Sequence, residues 1–301
     1  MSPTSAALAA QQPSPSAKAF AIPVDNVSIA LSVAGDPSRP ALLLLHGWPH
    51  SRALFHGVLD ELSNDFYVLA PDMPAIGDSR GAPAASDKAT LAQILLTAAE
   101  RAGAKEIIVA GVDVGGMTAF AAARDHGRRI AGAVVMNTVI PGVEPWERLI
   151  SDPQVWHFAF HALPGLPEAL VHGRKRVYFD YFHDVLAGNR ARIPRDLRDA
   201  FAHAYIRPEA LKAGFDWYRA LEADARRNAG HTRIDTPVLY VQGDAGGHSI
   251  EPYLEGLKAV GVENLGTRVV ADCGELIPVE KPAEFTGLLK DFAALAVSSA
   301  S

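Results

Sequence analysis

The stretch EIIVAGVDVGG (residues 106–116) decides how this chain is read. Its first half is a short, continuously apolar run, the pattern of a strand buried on both faces of a parallel sheet. Its second half sets Gly111, Gly115 and Gly116 around Asp113, and helical spacing takes over at 117–126. A strand that gives way to a helix this abruptly needs a strained residue at the turn and side-chain-free neighbours so that the backbones can close. Asp113 then stands at the carboxyl end of a strand, where open α/β sheets gather their ligands. A carboxylate there can attack carbon and form an ester. Taken alone, an Asp ahead of a helix also reads as a plain N-cap.

Outward from this stretch the same alternation continues. IALSVAG (29–35), ALLLLHG (41–47) and FYVLAPD (66–72) precede it; IAGAVVMNT (130–138), PVLYVQGD (237–244) and TRVVADC (267–273) follow. Helical spacing fills 51–62, 90–103, 250–260 and 281–296. Strands alternating with helices predict a mostly parallel, doubly wound α/β sheet. Residues 142–231 break the rhythm: they lack strand patterns and hold 13 of the 23 Phe, Trp and Tyr residues and six of 11 histidines. An aromatic helical insertion between two core strands predicts a cap over a pocket; the plainer reading is a subdomain whose aromatics form only its own core. The expected organisation is a core at 20–141 and 232–297, a cap at 142–231, and disordered tails at 1–19 and 298–301.

Composition narrows the function. With 49% hydrophobic and 21% charged residues the chain is globular. A net charge of −6 offers nucleic acid or an anionic membrane no electrostatic partner. The apolar runs are too short to span a bilayer, and the N-terminus lacks a secretory pattern. A single cysteine, Cys273, rules out a disulfide framework and a cysteine-built zinc site. Neither a dinucleotide fingerprint, a Walker loop nor a helical histidine pair is present, so no cofactor and no metal are expected. The expectation is a cytoplasmic protein acting on a small-molecule substrate, with a homodimer as the assembly to consider.

HGWPHS (46–51), PDMPAIGDS (71–79), GVDVGG (111–116), a cap and CGELIPVEKP (273–282) follow one another in that order. Together they resemble the α/β-hydrolase superfamily, specifically its epoxide hydrolase and haloacetate or haloalkane dehalogenase branch. The resemblance implies an α/β-hydrolase core with an inserted cap and Asp113 as the nucleophile. The backbone N–H groups of Trp48 and Val114 would form the oxyanion hole. Tyr218 in FDWYRA and His157 in VWHFAF would hold an epoxide oxygen, with His46, Pro49 and Trp156 also placed at the substrate. Pro49 is expected to follow a cis bond.

The chain also departs from that pattern. Where the resemblance implies the catalytic histidine stands Glu275, and where it implies the supporting acid stands Asn137. Val112 precedes the nucleophile, and the dehalogenase arginine positions hold Val114 and Met117. A carboxylate supports a catalytic histidine by stabilising its imidazolium, so losing the cation removes the reason for the anion. Two carboxylates 4 Å apart repel by about 4 kcal/mol at an effective dielectric near 20, and such a pair shares a proton. That chemistry suits isomerisation, cyclisation or elimination; yet a carboxylate can also activate water. His248 in GDAGGH reads as a substitute base or a surface residue, and Asp244 as a substitute acid or a turn former. His161, Tyr178, Tyr181 and His183 line the cap interior or pack within it. Three functions stay open at this point: an epoxide hydrolase with an altered base, a biosynthetic cyclase or isomerase using Asp113 and Glu275 as acid and base, and a catalytically silent binder.

Overall fold

The computed structural model describes residues 17–298. Eight strands form one sheet: β1 (Lys18–Val24), β2 (Val27–Ala34), β3 (Ala41–Leu45), β4 (Tyr67–Pro71), β5 (Ile107–Val112), β6 (Ile130–Met136), β7 (Val238–Gly243) and β8 (Leu265–Val270). Their order is β1-β2-β4-β3-β5-β6-β7-β8. The β1–β2 and β2–β4 pairs are antiparallel and all other pairs parallel. The central strands are apolar throughout because both faces are covered. Leu43, Leu45 and Val109 join the core on one face; Leu42, Leu44 and Ile108 join the core on the other. Helices Lys88–Arg101 and Val114–His126 supply the first core, and helix Pro282–Ser298 the second.

All seven strands expected from the apolar runs are present. The eighth, β1, corrects the expected tail at 1–19: Lys18 and Ala19 pair with Val33 and Ser32 at the sheet edge. Its residues are mostly exposed although AFAIPV is apolar, and Pro23 within the run argues against a central strand. Residues 1–16 and 299–301 lie outside the described residues, and Ser298 ends a helix rather than beginning a tail.

Between β6 and β7 the chain is helical, with helices at Trp156–Ala162, Lys175–Leu186, Arg195–Ala204, Pro208–Arg219 and Leu221–Asn228. This cap is fastened to the core by polar contacts. Lys88 Nζ meets Asp224 Oδ2 at 2.8 Å and donates to the Trp217 carbonyl at 2.6 Å, all buried. Arg207 donates to the carbonyls of Ala75, Gly77 and Ser79. The Trp48 ring, from the core, packs edge-on against Phe179, Phe182 and Tyr218 of the cap. The cap aromatics therefore close over the carboxyl ends of β3 and β5 rather than forming a core of their own.

Candidate active site

Asp113 occupies the turn between β5 and helix Val114–His126 with φ 55° and ψ −125°. The glycines make that turn possible. A Cβ on Gly111 would lie 2.0 Å from the Gly115 carbonyl oxygen, and one on Gly115 would lie 2.2 Å from that of Leu45. A Cβ on Gly47 would strike the Asp113 carboxylate itself, at 2.4 Å. The Asp113 side chain makes no capping bond to its helix. It accepts instead from the Trp48 backbone N–H at 2.8 Å, which disposes of the N-cap reading.

Glu275 and Asp113 line the same cavity, of about 450 Å³, between core and cap. Burial raises Asp113 to about 6, while the N–H groups of Trp48 and Val114 and the Lys88 ammonium oppose the rise. Glu275 is pushed well above the usual carboxylate range by burial, then by the Asp113 charge and the Glu280 charge. Burial thus pushes both carboxyls toward their protonated forms, and the Trp48 and Val114 N–H groups with Lys88 oppose it at Asp113.

Asn137, with φ 46°, lines the same cavity, and its side-chain amide is bonded to backbone groups. Its Nδ2 donates to the carbonyls of Gly274 (3.2 Å) and Glu275 (2.9 Å), and its Oδ1 accepts from the Gly243 N–H at 2.8 Å. It clamps together the loop after β6, the end of β7 and the loop after β8. The Glu275 N–H donates to the Leu186 carbonyl of the cap at 2.8 Å, and Glu280 accepts from the N–H groups of Gly274 and Asn189. Asn137 is a positioning residue that fixes the backbone carrying Glu275.

His157 and Tyr218 both line this cavity from the cap side, with ring centroids 5.9 Å apart. Burial lowers His157 to about 4, so it is neutral, and its buried Nδ1 has no partner among the described residues. Burial and the nearby carboxyl charges raise Tyr218 well above its ordinary value, keeping its hydroxyl protonated. His161 is bonded to the Tyr178 hydroxyl at 2.7 Å and packs on Trp48.

Three residues expected at the substrate lie elsewhere. His46 is fully buried below the site, its Nδ1 bonded to the Gly47 carbonyl and its Nε2 accepting from the Met73 N–H at 3.0 Å. Pro49 follows a cis bond to Trp48, as expected, but faces a separate small cavity. Trp156 is 41% exposed on the outside of the cap. His248 sits exposed at the rim of the main cavity, while Asp244 opens an exposed turn outside it. Sequence reasoning missed Thr138, Phe182, Tyr240, Gln242 and Tyr253 as lining residues, and Lys88 as a cation whose charge acts on Asp113. Nothing local to Lys88 signals its role, because its partner Asp224 lies far along the chain. No lysine or arginine is among the residues that line the cavity. Among the described residues no group of three or more His, Cys, Asp or Glu could hold a metal ion, and no helix is long and apolar enough to cross a membrane.

A carboxylate at a strained strand–helix turn, two N–H donors aimed at it and a helical cap define a hydrolase of the α/β class. Residues 40–282 match the family model for the alpha/beta hydrolase fold, and the chain belongs to that family. It is 29% identical over 251 residues to the soluble epoxide hydrolase of Corynebacterium sp. (strain C12), covering 80% of this chain and 85% of that one. It is 25% identical over 285 residues to bifunctional epoxide hydrolase 2 of Sus scrofa, 84% of this chain but 51% of that longer protein. The crystal structure of Cfl2 from Burkholderia cenocepacia superposes with a TM-score of 0.82 at 28% identity, over 93% of this chain and 98% of the other.

Proposed function

We propose that this protein hydrolyses an epoxide, or a comparably compact neutral electrophile, through an ester on Asp113, with Glu275 serving in turn as acid and base. The observation that carries the reading is geometric: Asp113, which accepts from the Trp48 N–H at 2.8 Å, and Glu275 line one cavity together with Tyr218 and His157. Asp113 attacks the epoxide carbon while Glu275 gives its proton to the opening oxygen, which Tyr218 and His157 hold. Ester formation cancels the Asp113 charge, one of the causes that kept Glu275 protonated. Glu275 is now a carboxylate and takes a proton from water as that water attacks the ester carbon. The oxyanion so formed occupies the place where the Trp48 and Val114 N–H groups converge. Its collapse releases the diol and restores the Asp113 anion and the Glu275 acid, so the proton count closes. No imidazolium appears at any step, which is why Asn137 can replace an acid.

The absence of lysine and arginine from the lining, with two carboxyl groups present, favours a neutral substrate over a carboxylate-bearing one. The test is turnover of an epoxide panel in oxygen-18 water, followed by mass spectrometry of the Asp113-containing peptide. Label accumulating in Asp113 over repeated turnovers supports the ester. Turnover that leaves Asp113 unlabelled supports the cyclase or isomerase alternative, in which the Asp113/Glu275 pair only moves protons. Binding without turnover supports the silent binder.

A further inference from the structure

The electrophile of the proposed reaction is compact, but the cavity that holds Asp113 and Glu275 is not. Its volume of about 450 Å³ lies in the range that takes a drug-sized ligand, far more than an oxirane ring fills. The lining passes from Asp113 after β5 to Thr138 and Val139 after β6, and on to Tyr240 and Gln242 of β7; these three strands lie side by side in the sheet. Neighbouring strands are about 4.8 Å apart, so the far side of the cavity stands roughly 10 Å from Asp113. There the wall is neutral and mostly apolar. Val139, Leu149 and the rings of Tyr240 and Tyr253 form it, with Thr138 and Gln242 as its polar members. Tyr253, from helix Glu251–Ala259, stacks on Tyr240 with ring centroids 5.3 Å apart and planes 26° from parallel. The Tyr240 hydroxyl donates to the Thr138 carbonyl at 2.8 Å, so Tyr253 lies on a fixed support. Tyr240 is buried, whereas Tyr253 is half-buried at the cavity wall.

We infer that this far side is a subsite for a flat aromatic group carried by the substrate, and that Tyr253 is the residue that selects it. The inference rests on the reading that places the reacting epoxide carbon at Asp113. A substrate ring can lie offset-stacked or edge-on against Tyr253, extending the row that Tyr240 and Tyr253 begin, and such contacts contribute beyond the area they bury. A saturated ring of the same size gains only the burial. An anionic group would find no counter-ion, since no lysine or arginine lines the cavity and Asp113 and Glu275 are the acids that do. The sheet sets the reach. An extended chain rises about 1.2 Å per bond, so a phenyl ring on a four-carbon tether puts its centre about 9 Å from the reacting carbon. A phenyl ring joined directly to the oxirane falls well short. The substrate class is therefore an epoxide with an aryl group at the end of a short tether.

Binding of inert diols tests the subsite without turnover. A vicinal diol bearing phenyl on a four-carbon tether is compared, by titration calorimetry, with the diol that carries cyclohexyl in its place. The two have the same reach, and cyclohexyl is the more hydrophobic, so burial alone would favour it. The phenyl diol should nevertheless bind the unmodified protein about threefold to tenfold more tightly. Tyr253→Leu keeps an apolar side chain without a ring and should bring that ratio to about one or below, while Tyr253→Phe should restore it. Equal affinity for the two diols, or binding of neither, overturns the inference. So does a phenyl preference that survives in Tyr253→Leu with native circular dichroism. If Tyr253→Leu does not fold, the ratio in the unmodified protein decides. A phenyl preference in a protein that opens no epoxide strikes the proposed function and leaves the subsite standing; epoxide turnover with no phenyl preference does the reverse.

Discussion

Replacing Asp113 with asparagine should stabilise the protein above neutral pH and leave it nearly unchanged in acid. Burial lifts Asp113 from 3.8 to about 6. A carboxyl whose native value lies above its unfolded value contributes stability that is complete below the unfolded value and is lost as pH rises through the native one. The window therefore runs from about 3.8 to about 6. Above it the folded protein carries a buried anion that costs roughly 3 kcal/mol, two pH units at about 1.4 kcal/mol each. Asparagine has nearly the same shape, tolerates the positive φ, and its amide oxygen can still accept the Trp48 N–H. Urea unfolding of both proteins at two pH values measures the difference. The expected gain is about 3 kcal/mol at roughly pH 8, falling below about 1 kcal/mol at roughly pH 4. An equal gain at both pH values, or a loss at the higher one, would refute the argument that burial of the ionised Asp113 is what the fold tolerates for function.

The activity that the site supports should rise through about pH 6 as Asp113 ionises and fall at higher pH as Glu275 gives up its proton; a kcat/KM profile measures both limbs. Glu275→Gln keeps the shape but cannot exchange a proton, so kcat should drop by roughly 10²–10⁴-fold with native circular dichroism; an unchanged kcat would remove Glu275 from the chemistry. Asn137→Asp takes away the two N–H donors to the Gly274 and Glu275 carbonyls, and urea unfolding should show a loss of roughly 2–4 kcal/mol. Lys88→Met strands the buried Asp224 carboxylate and should cost roughly 3–5 kcal/mol in the same measurement. Because Lys88 also holds Asp113 down, the acid limb of the kcat/KM profile should move to higher pH in Lys88→Met.

The central strands were legible because burial on both faces makes them uniformly apolar, and a sequence records that directly. β1 was not, although AFAIPV (19–24) is apolar, because a proline within the run argues against a central strand. In the site, Asp113, Trp48, Glu275, His157 and Tyr218 could be read from motifs and meet at one cavity. His46, Pro49 and Trp156 were drawn in by adjacency to those motifs. Adjacency misleads here because neighbouring residues point in different directions: His46 turns under the loop to Met73 while Trp48 turns up into the cap. Lys88, Gln242 and Tyr253 were invisible for the opposite reason, since only the folded chain brings them to the site.

The pairing of Glu275 with Asn137 shows how far sequence logic reaches and what the structure adds. Chemistry alone says that a site without an imidazolium has no use for a second anion, so an acid at 137 can be lost. That argument explains why the carboxylate is dispensable, but not why asparagine in particular stands there. The answer is in the hydrogen bonds. The loop carrying Glu275 presents two carbonyl oxygens toward position 137, and the last residue of β7 presents an N–H. Only a side chain that both donates and accepts satisfies all three, and an aspartate would set its charge against two carbonyls. It would also add another negative charge near a carboxyl that Asp113 and Glu280 already push upward, making Glu275 slower to release its proton. Asparagine instead fixes the backbone and adds no charge beside Asp113 and Glu275, which is what the proposed mechanism asks of position 137.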